Sequence, residues 1–317
     1  MVRMSYAQAA CAAVERAMRA DSRVVVLGED VGRGGIFGQY RGLQQQFGAA
    51  RVIDTPISEA TIMGAAVGMA LAGLVPVVEM RVVDFALCAM DEIVNQAAKA
   101  RYMFGGQARV GLVARMPTGL WSGSAAQHSQ SLEAWFAHVP GLVVVAPSTP
   151  EDNYGLLSAA IACGDPVIYM EHKELWGLEG DVAPGATVRL GRAKVLRAGS
   201  DLTLVTWSRT VHAALEAAEL ARARGIGVEV IDLRTLWPWD RDTVFGSCAR
   251  TGRLLVAHEA VRPGGFGGEI AAEVAEVLGI RVKRVGSPRV PVGYSRPLED
   301  EARVGAERIL AAIQGFH

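Results

Sequence analysis

Two successive α/β domains, each a parallel sheet wound between helices, are predicted by three features of the sequence. The chain has 317 residues, more than one ordinary hydrophobic core needs, and length alone favours about two domains. Short β-branched runs are continuously apolar rather than alternating, as in parallel strands buried on both faces. These runs alternate with helical segments, and the texture changes only around Gly180–Ala198. The expected domains are therefore residues 1–190 and 191–317.

The elements follow in order. The first segment, MVRMSYAQAACAAVERAMRAD, is an amphipathic helix. RVVVLGED (Arg23–Asp30) is a buried strand that ends in acids and leads into the glycine-rich GRGGIFG. Asp54–Gly73 begins as a loop with Pro56, and Ser58 is a suitable helix N-cap. Beyond Ser58 the segment is apolar or small except for Glu59 at the helix mouth. Gly64, Gly68 and Ala72 recur every four residues and form one bare face. Two glycines inside a helix cost about 1 kcal/mol each relative to alanine. Such a face is expected where another backbone packs closely, in the core or across a subunit interface. A carboxylate in that apolar setting suits proton chemistry on a ligand; the plainer reading is a solvated glutamate ending a buried helix.

VPVVEM (Val75–Met80) is the next strand, and Phe85–Gly106 reads as a helix closed by glycine. RVGLVAR, LVVVAPS and PVIYMEH are further strands, with PEDNYGLLSAAIACGD a helix whose first turn holds Pro150. Gly180–Ala198 reads as a linker and hairpin. DLTLVTWS, GVEVIDLR and RLLVAHEA then supply strands, and TVHAALEAAELARARG and GGEIAAEVAEVLG supply helices.

Composition narrows the function classes. Half the residues are hydrophobic, 21% are charged, and the formal net charge is −1. Without a basic stripe, nucleic acid is not an expected partner. Cys11, Cys88, Cys163 and Cys248 lack C-x-x-C spacing, which argues against a zinc cage or disulfide framework and fits a reducing compartment. No apolar run reaches the roughly 18 residues of a membrane helix, and the N-terminus lacks a signal-peptide core. A cytoplasmic, soluble protein is expected.

Arg262–Ile270, RPGGFGGEI, is like a dinucleotide fingerprint, but Ile270 stands where a third glycine belongs. A tight loop is the better reading. No P-loop and no G-x-S-x-G elbow occurs. Among the histidines, His212 lies in a surface helix, His317 is terminal, and His138 and His172 sit beside strands. His128 differs because it lies in a polar loop with Gln127, Ser129, Gln130 and Ser131, between strand and helix. Imidazole there is a usable acid or base at neutral pH.

These residues converge on a family. DTPISE, E-x-x-x-x-G-A-x-x-G (Glu59–Gly68), PVVEM…DF…DEIVNQAAK, GGQ (Gly105–Gln107) and QHSQSLEAWFAHVPGL (Gln127–Leu142) occur together and in order, followed by VVVAPSTPEDNYGLL and DPVIYMEHK. The chain resembles the beta subunit of the thiamine-diphosphate-dependent 2-oxoacid dehydrogenase decarboxylase component, the family of the pyruvate, branched-chain and acetoin complexes. The resemblance spans nearly the whole chain and is densest from Leu27 to Lys173. It implies a pyrimidine-binding α/β domain followed by a transketolase C-terminal-like domain. It implies that Glu59 hydrogen-bonds the aminopyrimidine ring nitrogen and promotes the tautomer that removes the thiazolium proton. Phe85 matches an aromatic packed against that ring, and Glu29 is carried over as a cofactor-binding residue. His128 matches a histidine that orients the substrate and assists acyl transfer to a lipoyl arm. Leu112, Ala160, Ile161, Cys163 and Asp165 match positions that hold a monovalent cation, K⁺, largely through carbonyls; Cys163 replaces an acidic residue.

The G-D-G…N motif for the diphosphate and Mg²⁺ does not occur here. Family logic places it on an alpha subunit, giving an α₂β₂ heterotetramer that docks on a lipoyl acyltransferase core and acts on a 2-oxo acid. There are departures. Arg81 and Val82 stand where an amide and an aromatic are usual, and Phe104 where a small hydroxyl residue is common. A carboligase, one half of a split transketolase or a deoxysugar synthase, and a non-catalytic stabilising subunit are the alternatives. QHSQS followed by AWFAHVPGL weighs against the transketolase group. Retention of Glu59 and His128 weighs against the non-catalytic subunit.

Overall fold

A computed structural model describes residues 1–186 and 188–316. In chain order the first elements are β1 (Val2–Ser5), α1 (Tyr6–Ala20), β2 (Val24–Gly28), α2 (Leu43–Phe47), β3 (Val52–Asp54), α3 (Glu59–Leu71) and β4 (Val75–Glu79). Then come α4 (Ala98–Met103), β5 (Val113–Arg115), α5 (Glu133–Ala137), β6 (Val143–Val145), α6 (Pro150–Ala162), β7 (Val167–Tyr169) and β8 (Glu179–Val182). The remainder comprises β9 (Lys194–Arg197), β10 (Leu202–Thr206), α7 (Thr210–Arg222), β11 (Val228–Asp232), β12 (Thr235–Trp237) and α8 (Arg241–Thr251). It closes with β13 (Arg253–Val261), α9 (Gly267–Leu278), β14 (Arg281–Ser287), α10 (Arg296–Ala302) and α11 (Ala306–Gln314). The chain divides into two units: Met1–Thr118 with Trp135–Leu190, and Gly119–Ala134 with Gly191–His317. His317, given no role above, lies outside the described residues.

In the first unit six parallel strands pair in the order β6-β7-β5-β4-β2-β3. Val24, Val26, Val77, Val113, Val145 and Val167 pack with Ala9, Ala13, Val14 and Met18 of α1 and Leu157 and Ala160 of α6. The intervening residues Val25, Leu27, Val78, Ala114, Val144 and Ile168 are also buried. Both faces are covered, and this is why the strands read as continuous apolar runs. Helix α1 starts at a capping box: the Gln8 N–H donates to Ser5 Oγ (3.2 Å) and the Ser5 N–H donates to Gln8 Oε1 (2.8 Å). Helix α6 starts at Thr149, whose hydroxyl accepts from the Asp152 N–H at 3.1 Å, with Pro150 in its first turn as expected.

Helix α3 begins after Ser58, but the Ser58 side chain makes no backbone cap and instead donates to Thr61 Oγ1 at 2.8 Å. Ile62, Met63, Ala66, Val67 and Ala70 form its buried side. Gly64, Gly68 and Ala72 are exposed, and a Cβ at Gly68 would meet nothing within 4 Å. The bare face therefore lies outside the unit's own core.

Two expected elements differ. The Phe85–Gly106 helix is a 3₁₀ segment (Val83–Ala89), a π-helical segment (Glu92–Ala97) and α4 in succession. Asp91 accepts from Asn95 Nδ2 (2.6 Å) and Gln96 Nε2 (3.2 Å), and these i+4 and i+5 ties suit a widened turn. Among the described residues of Gly180–Ala198, β8 and β9 do not pair as a hairpin. β8 pairs antiparallel with β1 and β9 antiparallel with β11, because each strand satisfies its ladder within its own unit.

The second unit contains a five-stranded sheet ordered β14-β13-β10-β11-β9, parallel except for β9. Helices α7 and α11 supply Ala214, Ala217, Ile309 and Ile313 to its core. No helix among the described residues is long and apolar enough to cross a membrane.

Candidate active site

The last rung of the first unit's sheet changes character from apolar to polar. Register pairs Asp54 with Gly28, Gly28 with Glu79, Glu79 with Arg115, and Arg115 with Tyr169. The C-terminal edge of a parallel α/β sheet, where loops diverge, is where ligands generally bind. Gly28 has φ +149°, and a Cβ there would lie 2.6 Å from the Glu79 carbonyl oxygen, so no side chain fits.

Glu29 follows that glycine and Glu59 opens α3 from the neighbouring strand's loop. Both are half-buried. Burial raises the Glu29 carboxyl above its ordinary range; Arg81 opposes that shift, while Glu59 and Asp30 add to it. Arg81 Nη1 lies 2.7 Å from Asp30 Oδ2, and its Nε lies 3.8 Å from Glu29 Oε2. The structure thus brings two of the expected residues, Glu29 and Glu59, into one electrostatic cluster with Arg81. Phe85 is half-buried in the 3₁₀ segment four residues beyond Arg81, its N–H donating to the Val82 carbonyl at 3.1 Å. Between β3 and Glu59, the buried Thr55 hydroxyl has no hydrogen-bond partner among the described residues. A half-buried polar edge with an unpartnered hydroxyl fits a polar heterocycle such as the aminopyrimidine of thiamine diphosphate.

Beneath this edge lies a polar network that sequence reasoning missed. Arg115 and Glu171 are both fully buried and form a bidentate pair, Nε to Oε2 at 2.8 Å and Nη2 to Oε1 at 2.7 Å. Asn153 Nδ2 donates to Glu171 Oε1 at 3.0 Å, and the Tyr169 hydroxyl donates to Asn153 Oδ1 at 2.9 Å. Glu79, 2% exposed, accepts from Gln39 Nε2 (3.3 Å) and from the Arg81 N–H (3.1 Å). Burial pushes its carboxyl up to about 7, with Arg115 opposing the shift. The only sequence signal was a charged residue ending an apolar strand.

The expected cation residues lie toward the other end of the sheet, where Leu112 and Asp165 precede β5 and β7. The Leu112 carbonyl accepts from the Val167 N–H (2.9 Å), and the Ala160 carbonyl from the Cys163 N–H (3.2 Å). Arg101 Nη1 meets the Asp165 carboxylate at 2.5 Å. Asp165 thus has a cationic partner already, and any ion there would depend on carbonyls. Among the described residues no cluster of three or more His, Cys, Asp or Glu is arranged to hold a metal. A cavity of about 740 Å³ also opens at this end, lined by Ala13, Arg16, Val24, Val75, Arg109 and Gly164 among others, and holds none of the expected catalytic residues.

His128 belongs to the second unit's segment Gly119–Ala134. It is exposed, on a loop fastened by carboxylates. The Leu120 N–H donates to Glu259 Oε1 (2.8 Å), the Gly123 N–H to the Glu299 carboxylate (3.3 Å), and Trp207 Nε1 to Glu133 Oε1 (3.1 Å). The neighbouring Ser129 hydroxyl is buried without a hydrogen-bond partner. His258, which the sequence reading passed over, is fully buried in β13 and stacks on Trp207 at 5.1 Å between ring centroids. Burial depresses its imidazole to about 4. A Cβ at Gly265 would lie 2.6 Å from the His258 ring and one at Gly267 2.7 Å from it. The glycine-rich loop therefore packs directly on this histidine, as a tight loop.

A polar C-terminal sheet edge, followed by a second smaller α/β unit, defines a two-domain α/β protein. Residues 2–177 match the transketolase pyrimidine-binding domain, and residues 191–309 match the transketolase C-terminal domain. A solved split-gene transketolase, described as an inactive beta4 tetramer, superposes with a TM-score of 0.83 at 24% identity, covering 98% of this chain and 97% of that one. Acetoin:2,6-dichlorophenolindophenol oxidoreductase subunit beta of Cupriavidus necator is 43% identical over 95% of this chain and 94% of its own. The 2-oxoisovalerate dehydrogenase subunit beta of Bacillus subtilis is 40% identical over 98% of each chain. Pyruvate dehydrogenase E1 component subunit beta of Rickettsia bellii is 43% identical over 95% of each. The chain belongs to the family of beta subunits of thiamine-diphosphate-dependent 2-oxoacid dehydrogenases.

Proposed function

We propose that this chain supplies the aminopyrimidine half of a thiamine diphosphate site and works only with an alpha subunit, in an α₂β₂ assembly serving a lipoyl acyltransferase core. The observation that supports the reading is Glu59, which opens α3 and whose charge acts on Glu29. Thiamine diphosphate, when bound, supplies the nucleophilic carbon that attacks the 2-oxo acid. Glu59 holds and exchanges a proton at the aminopyrimidine ring nitrogen, in a pocket whose partial dryness strengthens that contact. Phe85 packs against the ring. His128, on a loop pinned at Leu120, Gly123 and Glu133, orients the acyl group and exchanges its proton during transfer to lipoamide. Mg²⁺ and the diphosphate belong to the alpha subunit. K⁺, if held, takes the carbonyls of Leu112, Ala160, Ile161 and Cys163. The cytoplasm is the proposed compartment.

Co-expression with the alpha-type partner tests the shared site. The complex should decarboxylate a 2-oxo acid with an artificial electron acceptor, whereas activity of the isolated chain would refute the model. In the complex, Glu59→Gln should abolish proton exchange at the cofactor's reactive carbon; persistence of exchange removes Glu59 from the mechanism. His128→Ala should slow transfer to lipoamide by roughly 10²-fold or more, while leaving cofactor exchange intact.

A further inference from the structure

Arg81 is fixed at both ends. Its backbone has φ +61°, a left-handed conformation that costs a non-glycine residue about 1 kcal/mol or more. That conformation is held by the N–H donated to Glu79 Oε1 at 3.1 Å. Glu79 is itself immobilised by burial and by Gln39. At the other end, the guanidinium reaches Asp30 at 2.7 Å and Glu29 at 3.8 Å. The backbone from which the side chain departs is therefore fixed by a buried strand end, and the Asp30 contact holds the guanidinium. Glu29 and Asp30 face the guanidinium from the loop after β2, Glu59 faces Glu29 from α3, and Glu79 meets only the Arg81 backbone among these contacts. Glu29 and Asp30 both face the Arg81 guanidinium, Arg33 Nη1 also lies 4.0 Å from Asp30 Oδ1, and the Glu59 charge acts on Glu29, so Arg81 is the cation that Glu29 meets.

We propose that Arg81 is a positioning residue of the pyrimidine half-site: anchored by Glu79, it orients Glu29 and offsets its charge, and so sets the repulsion that Glu59 feels while serving the ring nitrogen. This rests on the reading of Glu59 given above. Arg81 acts through Glu29 and does not itself touch the ring. A neutral side chain at this position removes the cation beside Glu29 and leaves the Glu59 charge acting on it unopposed by Arg81.

The test titrates the full chain carrying carboxyl-¹³C glutamate, as wild type, Arg81→Gln and Arg81→Lys. The Glu29 resonance should titrate at higher pH in Arg81→Gln and return toward wild type in Arg81→Lys. An unmoved Glu29 titration in Arg81→Gln overturns the proposal. In the complex with the alpha-type partner, the acid limb of the pH profile for cofactor proton exchange should move upward in Arg81→Gln. A moved Glu29 titration with an unmoved exchange profile also overturns it, because the link to Glu59 is then absent. Exchange that persists in Glu59→Gln is a different result: it defeats the role of Glu59, while the Glu29 titration still reports the Arg81 contact.

Discussion

Arg115 has no exposed surface, and two of its nitrogens are committed to Glu171, while Nη1 has no hydrogen-bond partner among the described residues. The Tyr40 ring lies 4.7 Å from the guanidinium carbon and stabilises it by a cation–π contact. Removing one member of a buried pair strands the other charge, so Arg115→Met should cost roughly 3–5 kcal/mol. Urea unfolding measures this, and Arg115→Met with Glu171→Met together should recover part of the loss. Full additivity of the two single changes would show that the pair is not coupled. The sequence marks each residue only as a charge ending a strand; their pairing across 56 residues is decided by adjacent strand register.

At the scale of elements, α3 separates its two roles by face. Its core side is Ile62, Met63, Ala66, Val67 and Ala70, and its other side is the glycine stripe. Gly68 has helical backbone and open space around its Cα, so Gly68→Ala should stabilise the isolated chain by up to about 1 kcal/mol. Gly68→Leu should leave the chain folded but prevent assembly with the alpha-type partner, as read by size-exclusion chromatography. Normal assembly of Gly68→Leu would show that the stripe is plain surface. Ser5→Ala removes the capping box of α1 and should cost about 1 kcal/mol. The stripe was visible in the sequence because it is a local pattern, whereas the Ser5 capping box was not read there and the expected cap, Ser58, makes no side-chain cap. The breakup of Phe85–Gly106 was not visible either, because its π-helical turn depends on side-chain ties from Asp91.

For the whole molecule, two buried groups give opposed pH dependences. Glu79 moves from an ordinary 4.5 to about 7 in the fold. The unfolded chain therefore loses this proton first, and the stability contribution of Glu79, present below 4.5, disappears as pH rises to 7. His258 moves from an ordinary 6.5 to about 4, so the unfolded chain gains its proton first and stability is lost as pH falls from 6.5 to 4. Each contribution is roughly 3 kcal/mol. Between pH 4.5 and 6.5 the slopes oppose one another. Glu79→Gln should make stability rise more steeply with pH in that window, and His258→Leu should make it fall. Urea midpoints taken across the window check both signs. Parallel curves for all three proteins would rule out both assignments.

Hydrophobic periodicity and helix-breaking residues are local, and they determined the α/β class, most strands and the position of Glu59 at its helix mouth. The ordered motifs around Glu59 and His128 likewise determined the family. Tertiary structure alone decided which charges meet. It joined Arg81 to Glu29 and Asp30, set Glu79 beside Arg115, paired β8 with β1, and placed the His128 loop in the second unit. The physical reason is that burial follows local apolar pattern, whereas an ion pair or a sheet register depends on residues distant in sequence whose approach is paid for only by the packed fold.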